Sequence, residues 1–187
     1  MMKKFLISIT VLLIFFSTAC KSVDLAKAPV TLNGMIYDNQ NKPVVNYTIC
    51  VDGVYCCQSD ISGRFVLKDV PKGEHVITGY GDRYLNIKET TVIYDKAQIL
   101  YIRVLTVEAK LNEAFMYLEQ SFFEKAEESV REILLCDEDN TEALFFMTVI
   151  KYQEGRIEES LLLLEQLRQK KEGGKYVNGL EKIITEN

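Results

Sequence analysis

The sequence predicts a multidomain chain, all-β and then all-α. A seven-stranded antiparallel β-sandwich is expected over residues 30–105, a helical array of two helix pairs over 107–174, and a capping helix with a tail over 175–187. Three observations carry this. The hydrophobic period is two as far as Leu105 and about 3.6 after it. The charge changes at the same place: residues 28–105 hold eight basic and eight acidic side chains, whereas 106–187 hold ten basic and eighteen acidic. In the second half alone, residues of similar size recur 34 positions apart.

Ahead of both halves, Met1-Met2-Lys3-Lys4 and the apolar run Phe5 to Phe16 have the form of an export signal. The run is shorter than the roughly 20 apolar residues that a spanning helix needs. Thr18-Ala19-Cys20 resembles a bacterial lipobox, departing from it at Ser17, where Leu is usual. The resemblance implies removal of residues 1–19, lipidation of Cys20 and a tether over 20–29. Acyl chains anchor a protein by about 0.8 kcal/mol per buried methylene, so the chain is expected on a membrane of the bacterial cell envelope rather than through it. Without Lys3 and Lys4, 20 basic residues face 27 acidic ones, a net charge of −7. That balance disfavours a nucleic-acid partner, whose binding depends on neutralising phosphates.

Each strand has its own punctuation. Val30 to Tyr37 ends at the turn formers Asp38 to Pro43. Tyr47 to Val51 and Val54 to Cys57 flank Asp52-Gly53, a strong hairpin signal. Arg64 to Leu67, His75 to Tyr80, Thr90 to Tyr94 and Ile99 to Leu105 complete the seven. Three landmarks lie among them: Asn33 to Asp38 with Lys42-Pro43-Val44, Ser59-Asp60-Ile61-Ser62-Gly63-Arg64-Phe65, and Asp69-Val70-Pro71-Lys72-Gly73-Glu74-His75. In order and spacing they resemble the carboxypeptidase regulatory-like domain, Ser59 standing where that family more often has Thr. The resemblance implies an accessory sandwich and no hydrolase.

The chemistry agrees with that expectation. His75 is the one histidine of the chain, whereas a zinc hydrolase site needs two or three with a carboxylate. No enzyme activity, cofactor or metal is expected. Cys50, Cys56, Cys57 and Cys136 could form disulfides in an envelope compartment. With a two-residue loop at Asp52-Gly53, Cys50 lies opposite Tyr55, Cys57 is its diagonal neighbour and Cys56 is on the other face, so the pairing stays open.

In the second half Leu111, Ala114, Phe115 and Leu118 share a helical face, as do Ala126, Val130, Ile133 and Leu134. So do Ala143, Phe146, Met147 and Ile150, and Ile157, Leu161, Leu164 and Leu167, with breaks at Gln120-Ser121, Asp137 to Asn140 and Glu154-Gly155. Ala109 and Ala143, Phe123 and Ile157, Ala126 and Ser160, and Ile133 and Leu167 repeat at 34. On these residues the segment resembles two tetratricopeptide repeats, with departures at Glu113, Glu138 and Thr148. Tyr176, Val177, Leu180, Ile183 and Ile184 form a fifth amphipathic helix, suited to covering the apolar end of such a stack.

The repeat resemblance implies a groove on the first helix of each pair. Its positions are Glu108, Leu111, Phe115, Leu118 and Glu119, then Glu142, Phe145, Val149, Tyr152 and Gln153. The expected partner is an envelope protein or peptide carrying hydrophobic anchors and basic flanks, met by Leu111, Phe115, Leu118, Phe145, Val149 and Tyr152. The same stripe could instead be covered within the chain. A second functional reading takes Tyr80, Tyr84 and the intervening Gly81-Asp82-Arg83 as a platform for a glycan or another surface ligand.

Overall fold

The structure, a computed structural model, describes residues 28–185. The expected signal segment, Cys20 and the tether up to residue 27 lie outside the described residues. Seven strands come first: β1 Val30–Asp38, β2 Thr48–Val51, β3 Tyr55–Gln58, β4 Arg64–Val70, β5 Gly73–Gly81, β6 Tyr84–Ile93 and β7 Ile99–Val104. Five helices follow: α1 Val107–Glu119, α2 Phe123–Cys136, α3 Thr141–Gln153, α4 Ile157–Gln169 and α5 Gly174–Thr185. No helix among the described residues is long and apolar enough to cross a membrane.

The strands form two sheets, β4-β1-β7 and β3-β2-β5-β6. Alternation places Leu32, Ile36, Ile49, Phe65, Ile77 and Ile102 between them, each 3% exposed or less. The expected antiparallel sandwich needs correction here. β1 pairs antiparallel with β4 but parallel with β7, Gly34 lying beside Leu100 and Ile36 beside Ile102. The first sheet is therefore mixed. A strand's alternation is the same whichever way its neighbour runs, and the first and last strands of the unit meet through no short turn whose residues could declare a direction.

The β2–β3 hairpin also departs from expectation. Asp52 and Gly53 take φ of 52° and 69°, and Val54 follows as one additional residue before the ladder resumes at Val51 and Tyr55. That insertion shifts β3 by one position. Cys50 now faces Cys56, with which it forms a disulfide, while Cys57 turns inward opposite Ile49. Burial pushes the Cys57 thiol up, which keeps it protonated and unreactive.

The helices form two antiparallel hairpins with repeated local geometry. Thr106 and Asn140 are side-chain N-caps, each accepting from the third residue onward, Ala109 and Ala143, at 3.0 Å. Between the helices of each hairpin, Ser121 and Gly155 take φ of 59° and 76°. A Cβ in that left-handed region is unfavourable, and glycine meets the need in the second hairpin only. Ser121→Gly is expected to stabilise the chain by about 0.5–1 kcal/mol, read by chemical denaturation followed with circular dichroism. No gain would mean that the serine side chain compensates locally.

The expectation of an all-α tetratricopeptide-like array beside the sandwich is corrected as well, because its core is not built from helices alone. The helical apolar residues fall into two clusters, and one includes Leu85 of β6 alongside Leu111, Ala114, Val130, Ile133 and Met147. The first hairpin thus completes its core with a strand residue of the sandwich. The second cluster joins Leu144, Leu164 and Leu167 to Val177, Leu180 and Ile184 of α5. Where α3 and α4 cross, Thr148 and Ser160 are fully buried, their hydroxyls donating to Leu144 O and Thr148 O at 2.8 and 3.0 Å. Small polar residues let the helices approach there without leaving a donor unsatisfied.

Candidate functional site

The sandwich and the helices are joined by specific bonds rather than by a free linker. Leu85 N donates to Leu105 O and Val107 N to Arg83 O, both at 2.9 Å. Thr106 donates through its amide and hydroxyl to Asn39 Oδ1 at 3.4 and 3.3 Å, and Asn86 N donates to Cys136 Sγ at 3.3 Å. Below the junction, the fully buried Tyr47 donates its hydroxyl to Leu85 O at 2.9 Å, and its ring meets Tyr84 edge-on at 6.0 Å. Burial pushes the Tyr47 hydroxyl far up, so it remains a hydrogen-bond donor.

Above this junction is an open cleft of about 1200 Å³. Its walls are the β1–β2 turn, the β5–β6 turn, the N-terminal ends of α1 and α3, and the C-terminal end of α2. Asp82, Glu108, Asp137 and Glu142 are exposed on it, with Lys42 and Arg83 as the basic members. Asp38 also lines it but is 5% exposed and committed to the turn, its Oδ1 accepting from Gln40 N and Lys42 N at 2.8 and 2.9 Å. The site is polar with an acidic excess, a setting that attracts cationic groups.

Several expected site residues lie elsewhere. Leu111 is 5% exposed in the helical core, and Leu118 packs partly buried against it. Phe145 stacks on Tyr176 of α5 at 4.8 Å, and Val149 and Tyr152 pack against the cluster that α5 completes. Phe115 is exposed, at 47%. The six residues expected to meet a partner therefore do not form one continuous open stripe; α5 takes up the second copy's share. Of the expected rim, Glu108 and Glu142 open on the cleft. Tyr80, 56% exposed, and Tyr84 also line it, Tyr84 at the same time packing its ring against Tyr47.

His75 lies apart, buried in the sandwich. Its Nδ1 is 2.6 Å from Asp52 Oδ2 and its Nε2 is 2.9 Å from Pro71 O, while Asp52 Oδ1 accepts from Val76 N at 2.9 Å. The hydrogen bond from His75, and then that from Val76, hold the Asp52 carboxyl below the usual carboxylate range. This pair fastens the β2–β3 turn to β5. Among the described residues no three His, Cys, Asp or Glu side chains gather where they could hold a metal ion. Cys136 reaches the cleft, where its sulfur accepts from Asn86 N at 3.3 Å.

No family model matches the chain, and no curated protein matches it. Solved structures share part of it. A chain of a type II cohesin-X-dockerin complex from Acetivibrio cellulolyticus is 19% identical at a TM-score of 0.35, over 40% of this chain and 56% of that one. A mercury-inhibited catechol 1,2-dioxygenase from Acinetobacter is 7% identical at 0.33, over 46% and 55%. The Bacillus anthracis TIE protein is 10% identical at 0.35, over 42% and 17%. The chain thus spans little more than half of the first two, and likenesses of this size carry no argument about its function.

Proposed function

We propose that this is a non-enzymatic interaction module of a bacterial cell envelope, held on a membrane by acyl chains on Cys20 after removal of residues 1–19. It takes a basic-flanked segment of another envelope protein into the acidic cleft where the sandwich meets the helices. The observation that carries the reading is the convergence of Asp82, Glu108, Asp137 and Glu142 on one cleft of about 1200 Å³ whose walls are hydrogen-bonded to each other. A fixed cleft binds without first ordering its own walls, which favours affinity. Tyr80 supports a second reading, because it also lines a smaller depression of about 670 Å³ across the Gly81–Arg83 turn, where a sugar ring could stack on it.

Photo-crosslinking in the native envelope separates the two. Crosslinkers at positions 108 and 142 are expected to give a protein adduct that one at exposed Leu162 does not, and Glu108→Lys with Glu142→Lys is expected to abolish it. Absence of adducts from the cleft, together with glycan binding that Tyr80→Ala removes, would transfer the function to the second reading. Membrane attachment is read separately, as release of Cys20→Ser from the membrane fraction.

A further inference from the structure

Among the described residues, no other element packs over the outer face of the β4-β1-β7 sheet. Its register sets Val66, Asn33 and Ile99 in one row, and Arg64, Met35 and Tyr101 in the next. Val66, Ile99 and Tyr101 are 48%, 52% and 66% exposed, and the outward cations Arg64, Lys68 and Arg103 are exposed among them. The one carboxylate exposed along these strands is Asp69, next to Lys68 where β4 leaves its regular pairing with β1. Asp60, just ahead of β4, sits at a turn, bonding Ser62 N and Arg64 N. Arg103 is steadied by Asn41 Oδ1 at 2.7 Å rather than neutralised. A sheet face that mixes apolar and aromatic side chains with three cations is unusual in a chain of net charge −5.

We infer that this face lies against an anionic membrane surface. Tyrosine and apolar side chains suit the boundary between headgroups and acyl chains, and each nearby Lys or Arg strengthens attachment to anionic lipid. The charge of the whole chain agrees: residues 106–187 carry a net charge of −8, so the same surface repels the helical half and turns the acidic cleft outward. Reach agrees too. Val30 opens the central strand of this sheet, and the ten residues from Cys20 to Val30 extend at most about 35 Å. The inference deepens the reading of a Cys20 anchor, adding an electrostatic and interfacial contact to the acyl chains and fixing which face of the sandwich meets the membrane.

The test uses the exported form from Cys20 onward with Cys20→Ser, which has no acyl chain, so it does not depend on lipidation. The chain contains no tryptophan, so Tyr101→Trp introduces a single indole reporter. Vesicles of phosphatidylglycerol mixed with phosphatidylcholine are expected to blue-shift its emission, and phosphatidylcholine alone is not. Replacing Arg64, Lys68 and Arg103 by Gln is expected to weaken partitioning roughly a hundredfold, at about fivefold per charge, and salt should weaken it as well. The charge-matched control Lys125→Gln, Lys171→Gln, Lys182→Gln, on exposed positions of the helical half, should leave it unchanged. Absence of a shift with anionic vesicles, equal loss in the control, or binding to heparin without binding to vesicles overturns the inference. Palmitate labelling of native Cys20 is scored independently, so a missing anchor and an idle sheet face give different results.

Discussion

Glu127→Leu is expected to destabilise the chain by about 3 kcal/mol, more than Lys151→Met does, and the double variant is expected to recover most of the loss. The reason lies in unequal burial. Lys151 is 4% exposed between the two helical hairpins, and its ammonium contacts Glu127 of α2 and Glu154, the latter at 3.3 Å. Glu127 is less buried and has further partners, Arg131 and Arg156. Removing the lysine leaves Glu127 with two guanidinium groups. Removing Glu127 leaves a buried ammonium with a single carboxylate. Breaking a buried pair from the side that strands the more buried charge is the costlier change, whereas replacing both partners by apolar groups can be nearly neutral. Urea denaturation of the two single variants and the double one measures this; equal costs that simply add would refute a coupled network.

The same network sets a pH dependence. Burial alone pushes the Glu127 carboxyl up, but hydrogen bonds from Lys151 and Arg131, and their charges, outweigh it and hold the group below its ordinary value of 4.5. A carboxylate whose folded pKa is depressed adds stability that is fully present above its unfolded value and is lost as pH falls through the folded one. Acid should therefore loosen the contact between the hairpins below about pH 4.5, and Glu127→Leu should flatten that part of the profile. Asp52, held down by His75 and Val76, acts with the same sign in the sandwich.

What the sequence makes legible is local. Caps at Thr106 and Asn140, the left-handed positions at Ser121 and Gly155, and small residues at Ala126 and Ser160 are set by near neighbours, so the helices begin and end close to where their pattern says. The turns that wall the cleft are equally visible as turns, at Asp38 to Lys42, Gly81 to Arg83 and Asp137 to Asn140. Their convergence is not visible, because it depends on Leu85 inserting into the helical core and on Asn39 bonding Thr106, contacts between residues far apart in the chain. Val54 is a smaller instance. One residue added to a hairpin exchanges the two faces of a strand, and Asp52-Gly53 declares the turn without declaring the bulge. The choice between an open groove and one covered within the chain is undeclared for a related reason: an amphipathic α5 does not state which apolar residues it will cover.

Gly34→Ala is expected to cost about 3 kcal/mol although it adds a single methyl group. Gly34 lies in the central strand β1, facing inward between an antiparallel neighbour, Phe65, and a parallel one, Leu100. The Phe65 ring lies over the glycine, so a Cβ there overlaps the ring and also comes 2.8 Å from the Leu100 carbonyl oxygen. The ring could turn away only into the packed interior, where Phe65 is 2% exposed, and the carbonyl belongs to the parallel ladder itself. Both ways of relieving the overlap therefore disturb the mixed sheet, which is why glycine serves here despite its entropy cost within a strand. Phe65→Leu should lessen the effect by opening space over position 34, so the alanine should cost about 1.5 kcal/mol less in that background. Thermal or urea unfolding of the four chains measures the coupling. If alanine is tolerated equally well with Phe65 present, the ring does not rest on Gly34; if it is tolerated in neither background, the Leu100 carbonyl alone sets the limit and the close β1–β7 approach is the dominant constraint.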